Sequence, residues 1–122
     1  MVTVQRPLIA LVGVLIIVGL FFAFRPHEKK TEATTRTYSL IVKDKQLASG
    51  PTQLTAKQGD TVVIKVSSDE DVELHLHGYD KHLDLEQGQT KELSFTADQT
   101  GHFPYELEDF KKEIGALDVS PR

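Results

Sequence analysis

The chain has 122 residues, enough for one small domain, and carries a formal net charge of −4 at pH 7 with its histidines neutral. This acidic balance argues against nucleic acid and against anionic lipid surfaces as binding partners. The sequence contains no cysteine, which excludes a thiolate ligand to a metal ion.

The first predicted element is an apolar segment, Pro7 to Phe24, which is uncharged throughout and flanked by Arg6 and Arg25. As a helix it would be about 27 Å long at roughly 1.5 Å per residue. That length approaches the roughly 30 Å hydrocarbon core of a bilayer. The pattern predicts an uncleaved transmembrane helix, a signal anchor within residues 1–25. Cleavage near Thr31-Glu32-Ala33 stays open as an alternative.

The orientation of the anchor follows from its short N-terminal flank. The basic residues that follow the run, Arg25, Lys29 and Lys30, would by simple counting place the rest of the chain inside the cell. Because the flank before the run is so short, the segment is instead interpreted as a single-pass anchor in the cell membrane. The domain after it is then expected outside the cytoplasm.

After the anchor, residues 26–35 are polar and predict a tether, and residues 36–122 predict one all-β domain. Apolar and polar residues alternate with a period of two in five stretches, as half-buried strands do. Their apolar positions are Tyr38, Leu40 and Val42; Val62, Ile64 and Val66; Val72, Leu74 and Leu76; Leu93 and Phe95; and Phe103, Tyr105 and Leu107. Turn signals between the stretches favour a β-sandwich. Pro104 is expected at a sheet edge or bulge, since it has no N–H to donate.

The last hairpin resembles that of a cupredoxin, the blue-copper fold. Many cupredoxins end on the pattern F-P-Y-x-C-x-x-H-x-x-M-x-G-x-[LI]-x-V, and the apolar frame matches at Phe103, Pro104, Tyr105, Gly115, Leu117 and Val119. The metal-ligand positions hold Leu107 for Cys, Phe110 for His and Glu113 for Met. The resemblance implies a scaffold in which Leu107 and Phe110 pack where the copper would lie.

Two further likenesses extend the resemblance along the chain. His77-Gly78-Tyr79, followed by the stretch from Leu93 to Gly101, is similar to the copper-A domains of oxidases and nitrous-oxide reductases, without their cysteine pair. Residues 36–120 as a whole resemble cupredoxin-like domains of the type found in the iron-uptake protein EfeO. The resemblance implies a cupredoxin-like Greek-key β-sandwich, preceded by the transmembrane helix. It also implies export, hence a periplasmic or other extracytoplasmic location.

The residues that could carry chemistry are three histidines close together in sequence. His75 and His77 are two positions apart in a predicted strand and so share one face. His82 lies on the polar side of the next short segment, and the carboxylates Glu106 and Glu108 could approach from the last hairpin. Imidazole suits Cu(II) and Zn(II). The predicted metal site comprises His75, His77, His82 and Glu108, with copper or another divalent ion as the cofactor.

Two functions stay open at this point. One is a membrane-anchored domain that binds or delivers copper or a similar ion through histidines, without blue-copper electron transfer. The alternative is a metal-free cupredoxin-fold module that docks on an exported or membrane protein. No nucleophile elbow, phosphate loop or HExxH motif is present, so the chain is not expected to be an enzyme.

Overall fold

The computed structural model of the protein describes residues 5–26 and 31–122, with side chains in the first range described from residue 12 onward. A helix, α1, spans Gln5–Ala23, in agreement with the apolar run. No helix in the described part of the chain is both long and apolar enough to cross a membrane. The predicted transmembrane helix over Pro7–Phe24 is therefore not confirmed. The predicted tether lies partly outside the described residues, at positions 27–30.

The strands formed by the described residues belong to a second compact unit, Thr31–Arg122. In chain order they are β1 (Thr35–Lys43), β2 (Gln46–Ser49), β3 (Gln53–Lys57), β4 (Thr61–Ser68), β5 (Val72–Leu76), β6 (Lys81–Leu85), β7 (Thr90–Thr96), β8 (Gly101–Leu107) and β9 (Lys112–Ser120). A single 3₁₀ turn, Glu108–Phe110, separates β8 from β9. The predicted all-β class is confirmed.

The strands form two sheets. One has four strands in the order β2-β1-β4-β7, and the other has five in the order β3-β9-β8-β5-β6. Most neighbours are antiparallel, but β1 pairs with β4 and β3 pairs with β9 in parallel. These parallel pairs join strands that are distant along the chain, as in a Greek-key sandwich rather than in a meander of hairpins.

The core lies between the sheets and contains the apolar positions of the alternating stretches. In β4, for example, Val62, Ile64 and Val66 are buried while Lys65 between them is exposed. In β8, Phe103, Tyr105 and Leu107 face the same interior. The predicted period-two pattern therefore identifies the buried face of each strand.

Pro104 does not lie in an edge strand, because β8 has β9 on one side and β5 on the other. That part of the prediction is wrong. Its carbonyl accepts a hydrogen bond from the His77 N–H at 2.9 Å, so Pro104 faces the side of β5 just beyond the last β5 residue, Leu76. The β8–β9 register also shifts between Tyr105 and Glu106, so the expected bulge lies close by.

Two glycines in the last part of the chain are required by close packing. A Cβ at Gly115 would collide with the hydroxyl of Tyr105, which is 1% exposed and donates a hydrogen bond to the Pro51 carbonyl at 3.3 Å. Gly78, with φ +82°, follows β5, and a Cβ there would collide with the Phe103 ring. Gly78 thus allows the chain to turn sharply immediately after His77.

Candidate metal centre

His75 is at the centre of a row of polar side chains on the outer face of the five-stranded sheet. In the ladder it lies opposite Glu106 of β8 and opposite His82 of β6. The neighbouring register position pairs Leu74 with Leu107, and both are buried in the core. Because successive residues of a strand point to opposite faces, His75, His82 and Glu106 share the outer face.

His77 lies one residue beyond β5, in the turn that leads to β6. Its backbone is fixed by the hydrogen bond to the Pro104 carbonyl, and its ring is drawn toward β8. The His77 Nε2 atom is 2.7 Å from the Glu106 Oε1 atom. The two ring centroids of His75 and His77 are 4.2 Å apart. The predicted pairing of these two imidazoles on one face is present in the structure.

Glu108 reaches the same place from the 3₁₀ turn after β8. Its Oε2 atom is 3.1 Å from His75 Nδ1. Two hydrogen bonds lower the pKa of Glu108 below its ordinary value. The larger effect comes from the Glu106 carboxyl and the smaller from His75. Lys111, in the left-handed conformation at φ +48°, ends the turn and returns the chain into β9. The turn thus adds a carboxylate to the two histidines.

Together these residues form a group with the composition of a metal site. One ligand atom from each of His75, His77, Glu106 and Glu108 lies within 4.8 Å of the others. All four residues are partly buried, and the His75 side chain is only 15% exposed. Two imidazoles with two carboxylates suit Zn(II) or Cu(II). The structure brings together three predicted residues and adds Glu106, which was considered only as an approaching carboxylate.

His82, the fourth predicted residue, belongs to a second group with His75 and Asp80. Its ring stacks on that of His75, with centroids 4.0 Å apart and planes 11° apart. Hydrogen bonds to Glu73 and, second, to Asp80 raise the pKa of His82. Asp80 was not predicted. Its position two residues before His82, inside the turn, is the only sequence signal that could have identified it.

His102, the remaining histidine in the described part of the chain, belongs to neither group. His102 contacts Asp118, opposite it in the β8–β9 ladder, with 2.5 Å between Nδ1 and Oδ1. His27 lies outside the described residues. His102 is therefore paired with a carboxylate, as His75 and His77 are, but has no second imidazole beside it among the described residues, which makes it a suitable control position.

The blue-copper ligand set does not fit this chain. The sequence has no cysteine, and Leu107 at the expected thiolate position is fully buried in the core. Phe110 is 38% exposed in the 3₁₀ turn, where the Lys45 ammonium lies 4.3 Å from its ring centroid. The expectation that Phe110 packs into the former copper position is not confirmed, since its ring lies partly exposed in this turn. Glu113 is exposed on β9.

Comparison with known proteins agrees with this architecture. The family model described as Cupredoxin-like domain matches residues 13–117. No curated protein matches the sequence.

Several solved structures have the same fold. A copper binding protein, determined in solution in its apo form, is 15% identical with a TM-score of 0.59, over 75% of this chain and 93% of that chain. A multi-copper oxidase from Pseudomonas thermotolerans is 21% identical with a TM-score of 0.58, over 75% of this chain and 31% of its own. A chain of a heme-copper terminal oxidase dimer is 14% identical with a TM-score of 0.58, over 95% of this chain and 97% of that one. At these identities the likeness shows the fold alone.

Proposed function

The chain belongs to the cupredoxin-like domain family, and from that premise we propose that it binds a divalent metal ion on the outer face of its five-stranded sheet. The observation that carries the proposal is the convergence of His75, His77, Glu106 and Glu108, with ligand atoms within 4.8 Å of one another. Cu(II) and Zn(II) are the ions that two imidazoles with carboxylates suit best. The domain acts by holding or delivering the ion, as a binding protein and not as an enzyme.

The electrostatics of the group support a cation as its ligand. The ligand atoms of Glu106 and Glu108 lie within 4.8 Å of each other, so a divalent ion between them would offset the repulsion between two carboxylates. Their side chains are 20% and 39% exposed, so the ion would keep a path to solvent. Two imidazoles and two carboxylates complete a four-ligand set without a thiolate.

The direct test is a Zn(II) and Cu(II) titration of the full chain, purified without a polyhistidine tag. His77→Ala removes one of the two imidazoles and is expected to weaken binding at this group at least about 100-fold, since even supporting residues contribute roughly 10–100-fold. The matched control is His102→Ala, which removes a histidine paired with Asp118 and should leave binding unchanged. Equal affinity in wild type and in the His75→Ala/His77→Ala double variant would refute the proposal.

A second candidate function is a metal-free module that docks on an exported or membrane protein. The observation that favours it is that each imidazole already has a carboxylate partner: His75 has Glu108, His77 has Glu106 and His82 has Glu73. Such pairs satisfy buried polar atoms without an ion. Metal analysis of the purified full chain separates the two functions, because the docking module would contain no stoichiometric metal and take none up.

We also propose that residues 1–25 anchor the chain in the cell membrane, with the β-sandwich on the extracytoplasmic, periplasmic side. The support is the uninterrupted apolar run from Pro7 to Phe24 in the sequence. The likeness to EfeO-type and copper-A domains, which are exported, belongs to the same proposal. We expect the full-length protein to stay in the membrane pellet after carbonate extraction. Release into the supernatant would contradict the anchor.

A further inference from the structure

The His75 ring presents its two nitrogen atoms to two different groups. Its Nδ1 atom is 3.1 Å from Glu108 Oε2, within the group proposed above to bind metal. Its Nε2 atom is 3.6 Å from Asp80 Oδ1, within the second group. Because the two nitrogens of an imidazole point away from each other, the two groups lie on opposite sides of one ring.

The second group has the features of a supported metal site. His82 Nε2 is 3.3 Å from the same Asp80 Oδ1 atom, so both Nε2 atoms converge on one carboxylate oxygen. On its other side, His82 Nδ1 is 2.5 Å from Glu73 Oε1. An Nδ1–H donated to Glu73 leaves the Nε2 lone pair free for an ion, the arrangement in which a carboxylate orients a metal-binding histidine.

His75 has the same arrangement with respect to Glu108. When its Nδ1–H donates to Glu108, its Nε2 lone pair faces Asp80. Both imidazoles of the second group are thus oriented by a carboxylate behind them. The His82 ring is stacked on that of His75, so it has to tilt when an ion binds to both Nε2 atoms, and its 46% exposed side chain has room at the surface to do so.

We propose that a divalent ion of the Zn(II) or Cu(II) class has a second position in this protein, ligated by His75 Nε2, His82 Nε2 and Asp80. The inference rests on the proposed function in that both positions share His75. The inner position uses His75 Nδ1 with His77, Glu106 and Glu108, and the outer position uses Nε2.

The two positions exclude each other while His75 is a neutral imidazole, which has only one lone pair. An ion moving from the inner to the outer position leaves Nδ1 and binds Nε2. The proton on Nε2 is released and Nδ1 takes one up, so the ring stays neutral. The new Nδ1–H stays on the ring and donates a hydrogen bond to the Glu108 carboxylate. The Asp80 side chain is 89% exposed, whereas His75 is 15% exposed. The outer position is therefore where the ion exchanges with solvent or with an acceptor.

Nitrogen-15 NMR of the histidine side chains in the full chain tests this directly, with Zn(II) as the probe. In the His77→Ala/Glu106→Gln variant, which lacks the inner position, one Zn(II) should still bind, and His75 and His82 should both be ligated through Nε2. In the Asp80→Asn variant, which lacks the outer carboxylate, His75 should be ligated through Nδ1 and His82 should be free of metal. Asn is tolerated at the φ of +51° that Asp80 adopts, so this variant keeps the turn.

The outcomes separate this inference from the proposed function. If wild type binds Zn(II) while the His77→Ala/Glu106→Gln variant, folded by its amide spectrum, binds none, the outer position does not exist and the inner site stands. If the His77→Ala/Glu106→Gln variant binds Zn(II) but its His82 is free of metal, the outer position is likewise refuted. If wild type itself binds no Zn(II) and no Cu(II), the proposed function fails first.

Discussion

Replacing Asp60 by alanine is expected to lower the free energy of unfolding by about 3–5 kcal/mol, as when one partner of a buried ion pair is removed. Asp60 is completely buried. Its carboxylate accepts hydrogen bonds from the Thr34 N–H at 2.9 Å and the Lys57 N–H at 3.0 Å. The guanidinium groups of Arg36 and Arg122 also donate to it. Without it, two backbone donors and two cations lose their acceptor.

Loss of the Asp60 carboxylate also affects the segment through which the chain enters the sandwich. Arg122 also donates to the carbonyls of Thr31, Glu32 and Gln58, so one residue joins the start of the unit to the turn before β4. Asp60 holds Arg122 in that position. Since a small domain is stabilised by only about 5–15 kcal/mol, loss of this carboxylate removes a large part of its stability.

Because of the Asp60 carboxylate, the free energy of unfolding is expected to depend on pH. Hydrogen bonds from Thr34 and Lys57, aided by the two arginines, hold the pKa of Asp60 well below its ordinary value of 3.8. Because the folded-state pKa is depressed, the stabilisation is present above about pH 4 and is lost as pH falls toward the folded-state pKa.

Urea denaturation of the full chain between pH 7 and pH 3 measures both effects. The Asp60→Ala variant should be less stable at pH 7 and should lose less stability on acidification than wild type. Asp84→Ala, which removes an exposed carboxylate of β6, is the matched control and should stay within about 0.5 kcal/mol of wild type. An Asp60→Ala variant as stable as this control would show that the buried network contributes nothing.

Replacing His75 by alanine is expected to abolish saturable Zn(II) and Cu(II) binding. His75 is the one residue that both groups contain, whereas His77→Ala and His82→Ala each leave one group intact. The affinity of His75→Ala should therefore fall at least about 100-fold, and by more than in either other single variant. Equilibrium dialysis with metal analysis of the full-length wild type and of the three single variants provides the comparison. Binding by His75→Ala as tight as that of His77→Ala would contradict the shared-ring geometry.

Much of the fold could be predicted because the strands of a sandwich can be identified from the local sequence alone. An alternation of apolar and polar residues shows which face of a strand is buried, without any knowledge of the partner strand. It does so for Val62, Ile64 and Val66 and for Phe103, Tyr105 and Leu107. The pairing of strands is not local. Pro104 was expected at an edge or a bulge because proline has no N–H to donate. The sequence does not show that β5 ends just where Pro104 faces it.

The candidate site was predictable only in part, for the same reason. His75 and His77 share a face by strand periodicity, but Glu106 joins them because it lies opposite His75 in the pairing of β5 with β8. That register follows from sheet order, which a single sequence does not reveal. Asp60 shows the opposite difficulty, since a charged residue in a Gly-Asp turn is ordinarily exposed and here is completely buried. Phe110 was expected inside because it is apolar, yet a 3₁₀ turn holds it at the surface.

Zinc-edge X-ray absorption of the Zn(II)-loaded full chain tests most directly whether this cupredoxin-like domain carries a histidine–carboxylate ion site. At either position the ion has two imidazole ligands, from His75 with His77 or from His75 with His82, together with carboxylate oxygen. We therefore expect two histidine nitrogens at about 2.0–2.1 Å and oxygen ligands at about 2.0–2.2 Å. A spectrum without the multiple scattering of imidazole rings, from a zinc ion bound by oxygen alone, would contradict the account.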